Sequence, residues 1–344
     1  MPKALNLFLN SYGTYLHVKD EMFEIRIPKS KGETTTHQIA AKKIKSIWLS
    51  PHTALSSAAV GLALQHHIDL LFLEHHGEPI GRVWHSKLGS TTLIRKRQLV
   101  ASLDQDAVRY VRSWLSRKLD NQVEFIQSLG KHRKKLRPEL SDCSERIGRL
   151  ARLIENAEAD TISEVAEALR GREGTAGRLY FSMLSRALPD PYRFAGRSYR
   201  PAKDAFNAML NYGYGILYGY VERSLILAGI DPYVGFLHRD DYNHRSMVYD
   251  FIEPYRGWIE LPIFRLFSGK QVRQDHYSSS GSGIGLTKAG KELCAQRIIQ
   301  ALEEERIRYK NRNTTRATIL LMEAHTLAAE LLGKTSVEID TLEY

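Results

Sequence analysis

The chain predicts an α+β protein: a small N-terminal β-rich domain over residues 1–90, then a larger all-α domain over residues 91–344. Three observations carry this expectation. Apolar residues alternate singly up to about Ser90, they recur at helical spacing after it, and 344 residues exceed the length at which one hydrophobic core usually stops growing.

Strand signals come first. Leu5, Leu7 and Leu9 alternate, as do Phe23, Ile25 and Ile27, and Ile68 to Leu73 is a short, mostly apolar run. A period of two places such residues on one face of a strand. Ser11-Tyr12-Gly13, Lys31-Gly32 and His76-Gly77-Glu78-Pro79 separate the strands, since Gly admits positive φ and Pro presets a turn. One helix interrupts them, because Ala54, Leu55, Ala58, Ala59, Leu62 and Ala63 recur at helical spacing.

Beyond Ser90, residues Leu99, Leu103, Ala107, Val111, Leu115, Leu119, Val123, Ile126 and Leu129 draw one apolar stripe. That stripe predicts a single long helix. Thr161 with Glu164 predicts a capping box, Gly229 with Asp231-Pro232 ends a helix containing Tyr212 to Ala228, and Thr315 to Leu332 predicts a last amphipathic helix. Two stretches read as long loops, Pro189 to Pro201 and His276 to Gly285, the second mobile around Ser278-Ser279-Ser280-Gly281-Ser282-Gly283.

An apolar share of 43% and a charged share of 26% are those of a folded protein. A net charge of +10 favours an anionic partner such as a phosphate polymer. Cys143 and Cys294 are the two cysteines and lack CxxC spacing, which argues against a disulfide framework or a thiolate zinc site and favours a reducing cytoplasm. No apolar h-region opens the chain and no run approaches ~20 apolar residues, so neither export nor a membrane partner is expected.

The chemistry-bearing residues lie far apart in the chain. Glu173 stands in Glu173-Gly174-Thr175-Ala176-Gly177-Arg178, His238 ends Gly235-Phe236-Leu237-His238, and Asp250 and Glu253 lie in Tyr249-Asp250-Phe251-Ile252-Glu253-Pro254-Tyr255-Arg256. Carboxylates with one imidazole suit a hard divalent cation, Mg2+ or Mn2+, and three protein ligands leave positions open for water or phosphate oxygens. On a helix, Asp250 and Glu253 would share a face. The competing reading makes Glu173 a solvated helix residue, His238 a satisfied core histidine, and Asp250 and Glu253 partners of nearby arginines; residue types alone leave both open.

Several other features are weaker. His66-His67 and His75-His76 would point to opposite faces of a strand and lack ligand-spaced partners, which argues against zinc. Asp240, Asp241 and His244 could form their own metal cluster, and the two aspartates are the nearest candidates in sequence to orient the His238 ring. Lys131-His132-Arg133-Lys134-Lys135, with Arg95, Lys96 and Arg97, could grip a DNA backbone, although charge runs are more often solvated surface. Most of Tyr212, Tyr214, Tyr218 and Tyr220 read as core.

These motifs, together with Arg97-Gln98, Lys118-Leu119-Asp120-Asn121-Gln122, Arg200-Pro201, Asp204 and Asn207-Ala208-Met209-Leu210, follow one another in a specific order. Across nearly the whole chain that order resembles the CRISPR-associated endonuclease and integrase of spacer acquisition, the first of the numbered Cas proteins. The resemblance implies that Glu173, His238 and Glu253 hold Mg2+ or Mn2+, with Asp250 beside the metal as a further catalytic residue. It implies a DNA integrase in which a prespacer 3′-hydroxyl attacks a phosphodiester at the edge of a CRISPR repeat, a transesterification that also cuts branched DNA when reversed or when water replaces the hydroxyl. Implied partners are DNA, a second copy forming a homodimer through the N-terminal domain, and a dimer of the small second numbered Cas protein. Lys118, Asn121, Arg178, Arg193, Arg197 and Arg200 are the candidate DNA contacts. A plain structure-selective nuclease on branched DNA and a non-catalytic DNA scaffold are the other readings. Pro201-Ala202 and Ala176-Gly177 depart from the family's commoner Pro-Pro and Ala-Ala or Ala-Arg, and neither removes an implied ligand.

Overall fold

The computed structural model describes residues 5–29, 33–75, 77, 79–83, 91–238, 244–281 and 283–334. The chain divides into two compact units that part between Leu88 and Gly89. Lys31-Gly32, His76, Glu78, Asp240 and Asp241 lie outside the described residues.

The first unit contains β1 (Leu5–Leu9), β2 (Tyr15–Lys19), β3 (Met22–Pro28), β4 (Thr34–Ala40), β5 (Ile44–Leu49), β6 (Ala54–Leu55), α1 (Ser57–Gln65), β7 (Asp69–Leu73) and β8 (Pro79–Val83). They form two four-stranded sheets, ordered β1-β5-β7-β8 and β4-β3-β2-β6. Strands β1, β5 and β7 run parallel, whereas β2, β3 and β4 are an antiparallel meander. Leu9, Leu16, Phe23, Ile47, Ala59 and Leu70 meet in one core; of the alternating residues Leu9, Phe23 and Ile25 are buried, whereas Leu5 at the start of β1 is exposed. The helix starts three residues later than its apolar spacing suggests. Ala54 and Leu55 pair with Tyr15 and Leu16 of β2, and the Ser56 hydroxyl accepts the Ala59 N–H at 3.1 Å to cap α1. His66 and His67 occupy the turn after α1, His67 with φ +53°, not a strand.

The second unit contains α2 (Thr91–Ala101), α3 (Gln105–Gly130), α4 (Arg137–Glu155), α5 (Ile162–Ala187), α6 (Ala205–Leu227), α7 (Ser246–Phe251), α8 (Gly257–Ser268), β9 (Tyr277–Ser280), β10 (Gly283–Leu286), α9 (Lys288–Ile299), β11 (Arg306–Tyr309), β12 (Arg312–Thr315) and α10 (Arg316–Leu331). It is predominantly helical, as expected, but two antiparallel hairpins interrupt the helices. The first hairpin occupies the stretch expected to be a loop. The expected single long helix is two, because the Asp104 carboxylate accepts the Asp106 N–H at 2.8 Å and starts α3 afresh. Leu99 and Leu103 are consequently exposed, at 52% and 77%, while Ala107, Val111, Leu115 and Leu119 are buried.

Other end signals hold. Glu164 reaches back to the Thr161 N–H at 3.2 Å at the start of α5, and Gly229 takes φ +82° after α6. Helix α6 is buried on most sides, with Tyr212, Tyr214, Tyr218 and Tyr220 all in the interior. A Cβ at Gly213 would stand 2.7 Å from side-chain carbons of both Ile259 and Ile298, so only glycine lets α8 and α9 approach α6 this closely.

Candidate active site

Three elements bring the site together. Helix α3 supplies Lys118, α5 supplies Glu173, and the turn between α7 and α8 supplies Glu253. The Lys118 ammonium is ion-paired with Glu173 and lies 2.5 Å from Glu253 Oε2. That oxygen is buried against the ammonium. The other oxygen, Oε1, accepts from Arg256 Nε at 3.0 Å and Nη2 at 2.8 Å.

Proline sets the position of Glu253. Helix α7 ends at Phe251, and Glu253–Tyr255 forms a single tight 3-10 turn, as suits a stretch where Pro254 lacks a donor N–H. Asn121 on α3 pins that turn by donating to the Pro254 carbonyl at 2.8 Å. Asp250 and Glu253 therefore do not present one helical face. Asp250, 2% exposed, turns the other way and accepts the backbone N–H groups of Phe236 at 2.6 Å, Leu237 at 2.9 Å and His238 at 3.2 Å.

The same carboxylate holds the imidazole, with Asp250 Oδ1 2.5 Å from His238 Nδ1. Because a carboxylate accepts, Nδ1 carries the proton and Nε2 is left with its lone pair in the neutral ring. The orienting carboxylate sought at Asp240 or Asp241 is thus Asp250. The loop can lie this close because residue 235 is glycine: a Cβ there would meet Ser246 Cβ of α7 at 2.4 Å. With Asp240 and Asp241 outside the described residues, the alternative Asp240, Asp241 and His244 cluster is not described either.

Charge balances differ between these groups. Burial disfavours the Glu253 carboxylate, but Arg256 and Lys118 outweigh it and hold its pKa at about 2. Burial likewise works against the Lys118 ammonium, yet Glu253 and Glu173 raise its pKa above the ordinary lysine value. For His238 burial acts downward and the hydrogen bond to Asp250 prevails, raising it.

Lys118, Glu173, Arg197, Tyr214, His238 and Arg256 border one cavity of about 420 Å³. Glu253 is buried behind Lys118. Among the described residues, no three His, Cys, Asp or Glu side chains stand close enough together to hold a metal ion. The donor chemistry nevertheless fits a hard divalent ion: two carboxylates converge on one cation, an ammonium, beside an imidazole whose rear nitrogen is carboxylate-bound.

The candidate DNA contacts separate into two groups. Lys118 and Asn121 face inward and serve the site's own geometry, and Arg197 donates to Asn207 Oδ1 at 3.0 Å. Arg178, Arg193 and Arg200 are exposed; Arg193 pairs with Asp190 at 2.8 Å, and Arg200 lies over the Tyr199 ring. Sequence reasoning missed Glu260, a buried carboxylate that accepts from Tyr180 at 2.7 Å and Tyr214 at 2.5 Å. One acid within the apolar run Trp258-Ile259-Glu260-Leu261-Pro262-Ile263 was the available signal. Glu323 was missed too; it accepts from Tyr309, from Lys310 at 3.1 Å and from Arg117 at 3.1 Å.

A strand-rich first unit followed by a predominantly helical second unit is a fold that recurs in proteins of known structure. A casposase bound to integration product has the same fold, with TM-score 0.82 and 19% identity over 98% of this chain and 94% of that one. A Cas6-RT-Cas1–Cas2 complex matches with TM-score 0.77 and 22% identity over 96% of this chain and 35% of that one. The family model described as CRISPR associated protein Cas1 matches residues 7–304. The chain is also 30% identical to the CRISPR-associated endonuclease Cas1 1 of Archaeoglobus fulgidus, over 97% of this chain and 98% of the relative. The chain belongs to the Cas1 family.

Proposed function

We propose that this chain is a metal-dependent DNA integrase and endonuclease of CRISPR adaptation, joining prespacer 3′-OH ends to the CRISPR repeat by transesterification. The observation that carries it is the convergence of Glu173 and Glu253 on one cation beside His238, in a cavity bordered by Arg197 and Arg256. Glu173, Glu253 and His238 would hold Mg2+ or Mn2+, which when bound neutralises charge on the scissile phosphodiester and polarises the attacking oxygen.

The chain's own residues do the rest by position. Asp250 fixes the His238 tautomer, so that Nε2 stays a donor of electrons. Arg256 keeps Glu253 ionised in a buried place. The guanidinium of Arg197 at the cavity wall suits a phosphate oxygen. Phosphoryl transfer between oxygens needs no covalent protein nucleophile, only a positioned hydroxyl and a stabilised leaving oxygen. Water in place of the hydroxyl gives cleavage, and reversal of joining resolves branched DNA.

Further parts of the proposal rest on charge and kinship. A net charge of +10 suits DNA, and the related complex that contains Cas2 suggests the small dimeric partner. The first unit is proposed as the homodimer contact. No helix among the described residues is long and apolar enough to cross a membrane, and two buried free cysteines suit the reducing cytoplasm proposed as its location.

The test is a strand-transfer assay with labelled prespacer DNA, a supercoiled repeat-bearing plasmid, Mn2+ or Mg2+ and the Cas2 partner. Label joined to plasmid DNA is the expected product. Cutting of branched DNA without joining would leave the nuclease reading, and binding with neither reaction would leave the scaffold reading.

A further inference from the structure

Lys118 has an unusual setting. It is 7% exposed, and its ammonium touches two carboxylates carried by different elements, Glu173 on α5 and Glu253 in the turn before α8. A buried ammonium is tolerated only with close anionic partners. Two carboxylates drawn together in turn repel unless a cation lies between them. Each requirement satisfies the other, so Lys118 holds the pair in place.

The same spot is where a divalent ion would sit between those oxygens. An ammonium and a divalent cation cannot share it, because at contact distance their repulsion in a protein interior amounts to several kcal/mol. Lysine has a flexible four-carbon stem, and Lys118 borders the 420 Å³ cavity that also reaches Glu173 and His238. The side chain therefore has somewhere to go. Arg256, the other cation on Glu253, grips Oε1 through two nitrogens, whereas Lys118 meets Glu253 and Glu173 through one ammonium, a single contact with each. With its flexible stem and the cavity beside it, the lysine is the cation free to move aside.

We propose that Lys118 is an internal counter-cation that keeps Glu173 and Glu253 converged before metal loads, and that a divalent ion displaces its ammonium into the cavity. The proposal rests on the metal reading above. It assigns Lys118 to positioning the metal ligands and not to gripping DNA from outside.

The test uses the full-length chain and Mn2+ alone. Amine dimethylation followed by mass spectrometry should find Lys118 protected without Mn2+ and labelled severalfold faster at saturating Mn2+, because the amine would then face the open cavity. By calorimetry, Lys118→Met should bind Mn2+ about tenfold more tightly, because no competing cation has to leave. Glu253→Gln separates the two claims. If Glu253→Gln binds Mn2+ as wild type does, the metal reading fails and the displacement with it. If Glu253→Gln weakens Mn2+ binding but Lys118 labels equally with and without Mn2+, the displacement is overturned and the metal reading stands. The labelling arm uses wild-type protein, so it decides the matter even if Lys118→Met does not fold.

Discussion

Asp250 Oδ1 lies 2.5 Å from His238 Nδ1, and the two oxygens of that one carboxylate also collect the three successive backbone N–H groups of residues 236–238. One buried acid thus fixes both the loop and the ring. Asp250→Asn puts an amide where an acceptor is required. Strand transfer should fall roughly 10–100-fold, as when the partner behind a ligating histidine is lost, with DNA binding unchanged in a mobility-shift assay. A rate within about twofold of wild type would contradict this account of Asp250.

Glu260 joins α8 to α5 and α6 through Tyr180 and Tyr214. Removing one phenol by Tyr214→Phe leaves a buried carboxylate with one donor and should cost ~1–2 kcal/mol in denaturant unfolding. Tyr180→Phe with Tyr214→Phe should cost more than the sum of the single changes, because only the double variant strips Glu260 of both phenols. Strict additivity would show that the two hydroxyls do not share that acceptor.

In the first unit, Glu24 on β3 accepts from Gln38 at 2.9 Å, Arg26 at 3.0 Å and His17 at 2.8 Å. Its hydrogen bond from Gln38 leads the effects that hold its pKa at about 2, against an ordinary 4.5. A folded value below the unfolded one means stability that is fully present above pH 4.5 and is lost as pH falls through the folded value near 2. Glu24→Gln should therefore be less stable than wild type at neutral pH, with the gap closing on acidification towards pH 2. Chemical unfolding at a series of pH values checks this, and a gap that widens in acid would reverse the sign.

Arg178, Arg193 and Arg200 are exposed, unlike Lys118. If they meet phosphates, each replacement by alanine should flatten the slope of log K against log salt by up to ~0.9. Titration of branched DNA at several salt concentrations measures it. An unchanged slope in the triple variant would remove these three arginines from the interface.

Much of the fold was legible because strand alternation and helical stripes follow directly from which face is buried. Leu9, Phe23 and Ile25, and later Leu115 and Leu119, are core residues for that reason. The break between α2 and α3 was harder, since Asp104 acts as a cap inside an uninterrupted apolar stripe. Hairpin β9–β10 was hidden by its Ser and Gly content, which lacks the bulky residues that announce a strand. At the site, Glu173, His238, Asp250 and Glu253 could be singled out by type. Their wiring could not, because the contact of Lys118 with Glu173 spans 55 residues and that of Asp250 with His238 spans 12. Only Pro254 carried a local signal that the chain leaves the helix there.

In the proposed reaction Glu173 serves the chemistry and not the binding. Strand transfer by Glu173→Ala, measured beside its affinity for the same branched DNA, decides this. Joining and cutting should fall to background with affinity near wild type; wild-type joining by that variant would remove Glu173 from the reaction.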